Sequence, residues 1–202
     1  MSDPTKAALR AALLQRRQGR DPEANASSSA ALLGHLVRHP LWQQARGIAA
    51  FVGVRGEPDT WGLLAATLAE GKRLWLPRMQ GTPPAIAFVP VHDLRELAPA
   101  RFGLLEPRPR DGQTTLATPA ATAGVDLVLI PGLGFASDGA RIGFGKGHYD
   151  RVLAPIRHFA APLRVGLCFS DDLDPSDGQV PRDELDVPMH WIATPDGLRH
   201  CG

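Results

Sequence analysis

Asp126-Leu-Val-Leu-Ile130, continued directly by Pro131-Gly-Leu-Gly-Phe-Ala-Ser-Asp-Gly-Ala-Arg-Ile-Gly-Phe-Gly-Lys-Gly-His-Tyr-Asp-Arg151, decides the fold class. The first five residues hold four apolar side chains in a row without alternation, the pattern of a strand covered on both faces. The segment beyond Ile130 is rich in glycine and leads into a helix predicted near Tyr149–Arg157. A buried strand, a glycine-rich loop and a helix in that order belong to α/β sheets, which bind ligands beyond the carboxyl ends of their strands.

The same alternation extends outward. Upstream, residues 4–19 place Lys6, Leu9, Arg10, Leu13 and Leu14 at helical spacing. Asp21-Pro22 breaks that pattern and opens a second helix over Glu23–His39, which Pro40 ends. Gly47–Val52 reads as a strand, Asp59–Glu70 as a helix stopped by Gly71, and Arg73–Pro77 and Ile86–Val91 as strands around the turn Gly81-Thr-Pro-Pro84. Residues 98–124 lack periodicity and read as an ordered loop. Downstream, Arg164–Phe169 and Trp191–Thr194 are strands, the second leading into the tail. These elements predict a parallel or mixed sheet with helices on both faces, in one domain over residues 1–202.

Bulk properties exclude several function classes. The 202 residues are 44% hydrophobic and 21% charged with a formal net charge of +1, so no strong field calls for nucleic acid or an acidic membrane surface. No run approaches the ~18 apolar residues of a membrane span. Cys168 lies in an apolar run and Cys201 near the end, which suits free thiols in a cytoplasmic protein.

Chemistry concentrates in the loop. Gly143, Gly145 and Gly147 alternate before the helix start, where absent Cβ atoms let backbone N–H groups approach an anion. Lys146, Arg141 and Arg151 supply positive charge suited to a polyphosphate. The spacing matches neither the P-loop nor the dinucleotide fingerprint, and read alone the loop is either a phosphate cradle or a tight connection. Asp150 suits Mg²⁺ shared with phosphates, or a helix first turn. Asp186 is a second candidate carboxylate for the metal, or an exposed charge. Lys6 and Arg10 stand one helical turn apart and either clamp an anion or form a solvated basic face. Glu57 follows a strand end, where ligand contacts and ordinary loop charges both occur.

Taken in order, the residues resemble the 5-formyltetrahydrofolate cyclo-ligase family, also called methenyltetrahydrofolate synthetases. The resemblance runs through Lys6-x-x-Leu-Arg10, Arg55-Gly-Glu-Pro-Asp-Thr60, Leu76-Pro-Arg78, Phe102-Gly-Leu-Leu-Glu-Pro107, the block Asp126–Phe135, the block Arg141–Arg151, Asp186-Val-Pro188 and Ile192-Ala-Thr194. It implies a three-layer, Rossmann-like α/β fold with a mostly parallel sheet. It also implies ATP- and Mg²⁺-dependent conversion of 5-formyltetrahydrofolate, including polyglutamylated forms, to 5,10-methenyltetrahydrofolate.

By that resemblance Lys6, Arg10, Gly143, Phe144, Gly145, Lys146, Gly147, His148 and Tyr149 contact ATP, and Asp150 and Asp186 hold magnesium. Val52, Glu57 and Phe102 line the folate site, and Arg78 and Arg141 are further phosphate contacts. Phosphoryl transfer asks for positioning and charge neutralisation, which assigns catalysis to Lys146 and Arg141. The chain departs from the family pattern at Phe144, at His148, where titration near neutrality is expected, at Phe102 in place of Trp, and at His190 where an acid is usual. Two other readings stand beside this one, a different enzyme on a related scaffold and a non-catalytic folate or nucleotide binder. A monomer without nucleic-acid or membrane partners is expected.

Overall fold

The computed structural model describes residues 5–54, 56–100, 103–120, 123–175 and 179–202. Helix α1 spans Lys6–Gln18 and starts at Thr5, whose hydroxyl accepts the Ala8 N–H at 3.3 Å. Helix α2 spans Pro22–Arg38, with Asp21 accepting the Ala24 N–H at 2.8 Å and Pro22 in the first turn, where a missing N–H costs nothing. Pro40 ends α2 and also opens a short helix α3, Pro40–Gln44. Strand β1 is Gly47–Ala49, shorter than its apolar run, and α4 is Trp61–Ala69.

Strands β2 (Arg73–Gln80) and β3 (Ala85–Val91) form a hairpin. The stretch expected to be a plain loop contains a two-stranded ribbon, β4 (Leu97–Pro99) with β5 (Leu105–Pro107). Its strands have three residues each and carry prolines, so no alternation was long enough to show. Strand β6 is Leu127–Pro131. The loop beyond it folds into a second small ribbon, β7 (Gly134–Phe135) with β8 (Arg141–Ile142), before helix α5, His148–Leu153. Strands β9 (Leu163–Leu167), β10 (Trp191–Thr194) and β11 (Gly197–His200) complete the described residues, the last lying in what read as a tail.

The main sheet runs β11-β10-β9-β6-β1-β2-β3. Its five central strands are parallel and the two edge strands antiparallel. Side chains of β6 alternate between layers. Leu127 and Leu129 pack with Leu32, Leu36, Trp42, Leu63 and Leu64 from α2, α3 and α4. Val128 and Ile130 pack with Val152 and Leu153 from α5 on the opposite face. The expected three layers, with a mostly parallel sheet between helices, are present. Each fully buried leucine contributes on the order of 1.5–3 kcal/mol relative to exposure.

Two details set the register at the strand starts. Asp126 accepts the backbone N–H groups of Arg46 and Gly47 at 2.7 and 2.9 Å, tying β1 to β6. A Cβ on Gly47 would stand 1.8 Å from the Gly124 carbonyl oxygen, so this approach requires glycine. Helix α1 covers neither sheet face. Leu9 and Leu13 pack on Leu133, Ala140, Ile142 and Val180, so α1 lies over the loop that leaves β6.

Candidate active site

Strand β1 connects through α4 to β2 on one side, while β6 pairs with β1 on the other. The connections therefore diverge at the carboxyl ends of β1 and β6, and open α/β sheets carry a crevice at such a switch point. A cleft of about 790 Å³ lies there. Phe51, Val52, Val54 and Glu57 enter it beyond β1, and Pro131 with the Arg141–Arg151 run enters beyond β6. Helix α1 adds Lys6 and Arg10, and the segment 183–186 adds Asp183, Leu185 and Asp186. Pro77, Met79, Ile86, Leu104, Leu105 and Glu106 form the far, mainly apolar end. The site residues expected from the sequence line this cleft, except for Arg78 and for Phe102, which lies outside the described residues.

Local backbone chemistry explains the glycine loop. Gly145 has φ +86° and Gly147 φ +62°, left-handed conformations that cost other residues roughly 1–2 kcal/mol. Gly147 is the N-cap of α5 and makes no side-chain cap, so that helix start is left to backbone groups. The Arg10 Nε donates to the Gly143 carbonyl at 3.0 Å, joining α1 to the loop. The Arg151 guanidinium donates to the Lys146 carbonyl at 3.0 Å and to His148 Nδ1 at 2.8 Å. Burial, Arg151 and Lys146 all lower the His148 pKa, which favours the neutral ring. Tyr149 is shifted upward by burial and by Glu57, and its ring centroid lies 5.8 Å from the Arg141 guanidinium.

Charges at the mouth are paired within the protein. Lys6 Nζ donates to Asp183 and Asp186, each at 2.6 Å. Burial opposes the ammonium, but those two bonds outweigh it and raise the Lys6 pKa. The bond from Lys6 holds Asp183 below the usual carboxylate range. Arg141, nearly buried, donates to Asp150 at 2.6 Å, and its buried Nε has no partner among the described residues. Such a half-satisfied guanidinium fits an anion in the cleft. No three His, Cys, Asp or Glu side chains are grouped for a metal among the described residues. This donor set fits Mg²⁺, which needs only one or two carboxylates when phosphates and water fill its shell.

Two participants were not anticipated. Arg17 is buried, donates to the Gly132 carbonyl at 2.6 Å, lies 3.8 Å from Glu57 and sits 5.9 Å from the Phe144 ring centroid. Its spacing from Lys6, Arg10 and Leu13 along one helix face was the available signal. Asp183 meets Lys6 across 177 positions, which no local pattern reveals. Arg78 lies between the cleft-lining Pro77 and Met79 but is not itself in the lining, and it donates to Gln113 at 2.9 Å. His190 sits against Arg164, accepting its backbone N–H at 3.1 Å, and burial with that guanidinium lowers its pKa to about 4.

Comparison with known proteins gives one answer. The model of the 5-formyltetrahydrofolate cyclo-ligase family matches residues 2–195. A 5-formyltetrahydrofolate cyclo-ligase of Mycolicibacterium smegmatis is 35% identical over 202 residues, covering 96% of each chain. One of Mus musculus is 29% identical over 196 residues, covering 95% of this chain and 94% of that one. The solved 5,10-methenyltetrahydrofolate synthetase of Aquifex aeolicus superposes with a TM-score of 0.80 at 28% identity, over 97% of this chain and 92% of that one. The chain belongs to the 5-formyltetrahydrofolate cyclo-ligase family and is an enzyme of that class.

Proposed function

We propose that this family member, acting as a single domain and a monomer, uses ATP and Mg²⁺ to convert 5-formyltetrahydrofolate to 5,10-methenyltetrahydrofolate, releasing ADP and phosphate. The observation that carries this reading is the meeting of two unlike walls in one cleft. Lys6, Arg10, Arg141, Lys146 and the positive-φ glycines stand on one side, and an apolar slot on the other. Polyphosphate suits the first wall and a flat heterocycle the second.

In this reading Lys6, Arg10 and the Gly143–Tyr149 loop, including Phe144 and His148, hold ATP. Val52 and Glu57 hold folate, with Phe102 as a further contact from sequence. Asp150 and Asp186 would hold magnesium, which neutralises phosphate charge when bound. Each of those carboxylates is paired here with a cation assigned to phosphate, Asp150 with Arg141 and Asp186 with Lys6. Nucleotide entry is then an exchange of partners rather than the burial of bare charge. That lowers the desolvation cost of assembling the site.

The formyl oxygen is a poor leaving group. It takes the γ-phosphoryl group of ATP and ADP departs. N10 then attacks the formyl carbon and gives up its proton. The C–O bond breaks so that the phosphorylated oxygen leaves as phosphate, which carries that proton away. Lys146 and Arg141 place positive charge where the transferring group gains negative charge.

Among the described residues no helix is long and apolar enough to cross a membrane, and both cysteines are free. Free thiols suit the reducing cytoplasm proposed as the site of action. The test is near-ultraviolet absorbance of the methenyl product with 5-formyltetrahydrofolate and Mg²⁺, with and without ATP. An ATP-dependent rise is expected, and no rise with folded protein sinks the reading.

A further inference from the structure

We infer that Glu106 is the side chain that reads the hydrogen-bond-donor edge of the substrate's pteridine ring, an inference that rests on the folate reading above. The carboxylates of the cleft are not equivalent. Asp150 is taken by Arg141, and Asp183 and Asp186 by Lys6. Glu57 accepts the Val54 N–H at 3.1 Å and faces Arg17. Glu106 alone has no ion-pair partner among the described residues, and its only hydrogen bond comes from the Met79 N–H to Oε2 at 3.3 Å.

The sheet explains why it stands there. Strand β1 pairs with β2 only through Arg73, Leu74 and Trp75, so the distal half of β2 has no strand on that edge. The β4–β5 ribbon carries Glu106 to that edge, where one oxygen satisfies the Met79 N–H. The other oxygen has no partner among the described residues, and Glu106 lines the cleft beside Met79, Leu104 and Leu105. Burial in these surroundings raises its pKa, opposed by Met79 and Arg78.

An apolar slot with one carboxylate selects a particular ligand chemistry. A 2-amino-4-oxopteridine offers two adjacent donors, N3–H and the 2-amino group, matched to a carboxylate as an amidine edge is. The adenine edge alternates donor and acceptor and offers no such pair. Charged hydrogen bonds of this kind are worth enough to change affinity roughly 10- to 100-fold.

The experiment compares binding of 5-formyltetrahydrofolate and its 2-desamino analogue to the wild-type protein and to Glu106→Gln, with steady-state kinetics alongside. Glutamine keeps an acceptor for Met79, and thermal denaturation checks the fold. The wild type should prefer the amino ligand about 10-fold or more, and the variant should lose most of that preference. KM for folate should rise with kcat and KM for ATP little changed. In the wild type KM for folate should also rise as acid protonates Glu106, and in the variant it should not. Equal affinity of the two ligands for the wild type overturns the inference without needing any variant. So does a preference that survives in Glu106→Gln, or equal damage to both KM values, which marks a structural role. A wild type that shows the preference but never turns over would sink the proposed reaction and leave this inference standing.

Discussion

The two ends of the cleft solve opposite problems. At the glycine-loop end the acidic side chains are already taken by cations, Asp183 and Asp186 by Lys6 and Asp150 by Arg141, while Arg10 and Arg151 donate to backbone carbonyls. At the β2–β5 end the walls are mainly apolar, and the one carboxylate, Glu106, has no ion pair among the described residues, with Arg78 acting on it only from a distance. The first end must rearrange its pairs to accept a ligand. The second is shaped in advance and owes its selectivity to one unmatched group. Affinity at the first end is a difference between two sets of ionic contacts, while at the second it is direct burial plus hydrogen bonding.

Substitution of Lys146 should break the comparison most sharply if the ends are not separate. Lys146→Ala is expected to lower kcat/KM for ATP by about 10²–10³ while KM for folate stays within a few-fold. Equal effects on both substrates in steady-state kinetics would erase the distinction. Gly145→Ala comes next. At φ +86° the new Cβ is strained and lies 3.3 Å from the Arg10 guanidinium carbon. About 1–2 kcal/mol of strain, read by calorimetric ATP titration, should weaken nucleotide binding roughly 10-fold and leave folate binding unchanged.

The smallest effect concerns a residue that lines neither end. His190 has a folded pKa of about 4, depressed by burial, Arg164 and His200 from an ordinary value of 6.5. The unfolded chain thus binds more protons between these values, and stability falls as pH drops from 6.5 toward 4. His190→Asn should flatten that slope by about 1 kcal/mol at pH 5, allowing for solvent screening, in urea unfolding at pH 7 and pH 5. ATP and folate KM values should not distinguish this variant from the wild type.

Much of the fold is written locally. The unbroken apolar run of β6 announced a doubly covered strand, and Asp21-Pro22 and Gly71 marked helix ends because caps act within a few residues. The glycine loop was legible for the same reason. What stayed hidden depends on partners far along the chain. The β4–β5 ribbon and β11 are too short for period-two patterning, and each exists through the strand it pairs with. Pro40 read as a stop and also served as a start, since the residue before it was an extended cap. Asp183 and Glu106 were not singled out as site residues, because no local pattern marks them. Only the closing of α1 over the β6 loop, and of a ribbon onto the open edge of β2, gave them partners.

The position of α1 bears on the order in which the molecule can be made. This helix leaves the ribosome ahead of every strand, yet its apolar stripe, Leu9 and Leu13, rests on Leu133, Ala140, Ile142 and Val180. Its lysine waits for aspartates at 183 and 186. During synthesis α1 therefore has no native surface to lie on until the loop beyond β6 has emerged, while β1, α4 and β2 can already associate. The glycine-loop end of the cleft joins early and late parts of the sequence, so it is complete only once the segment around Asp186 has been made.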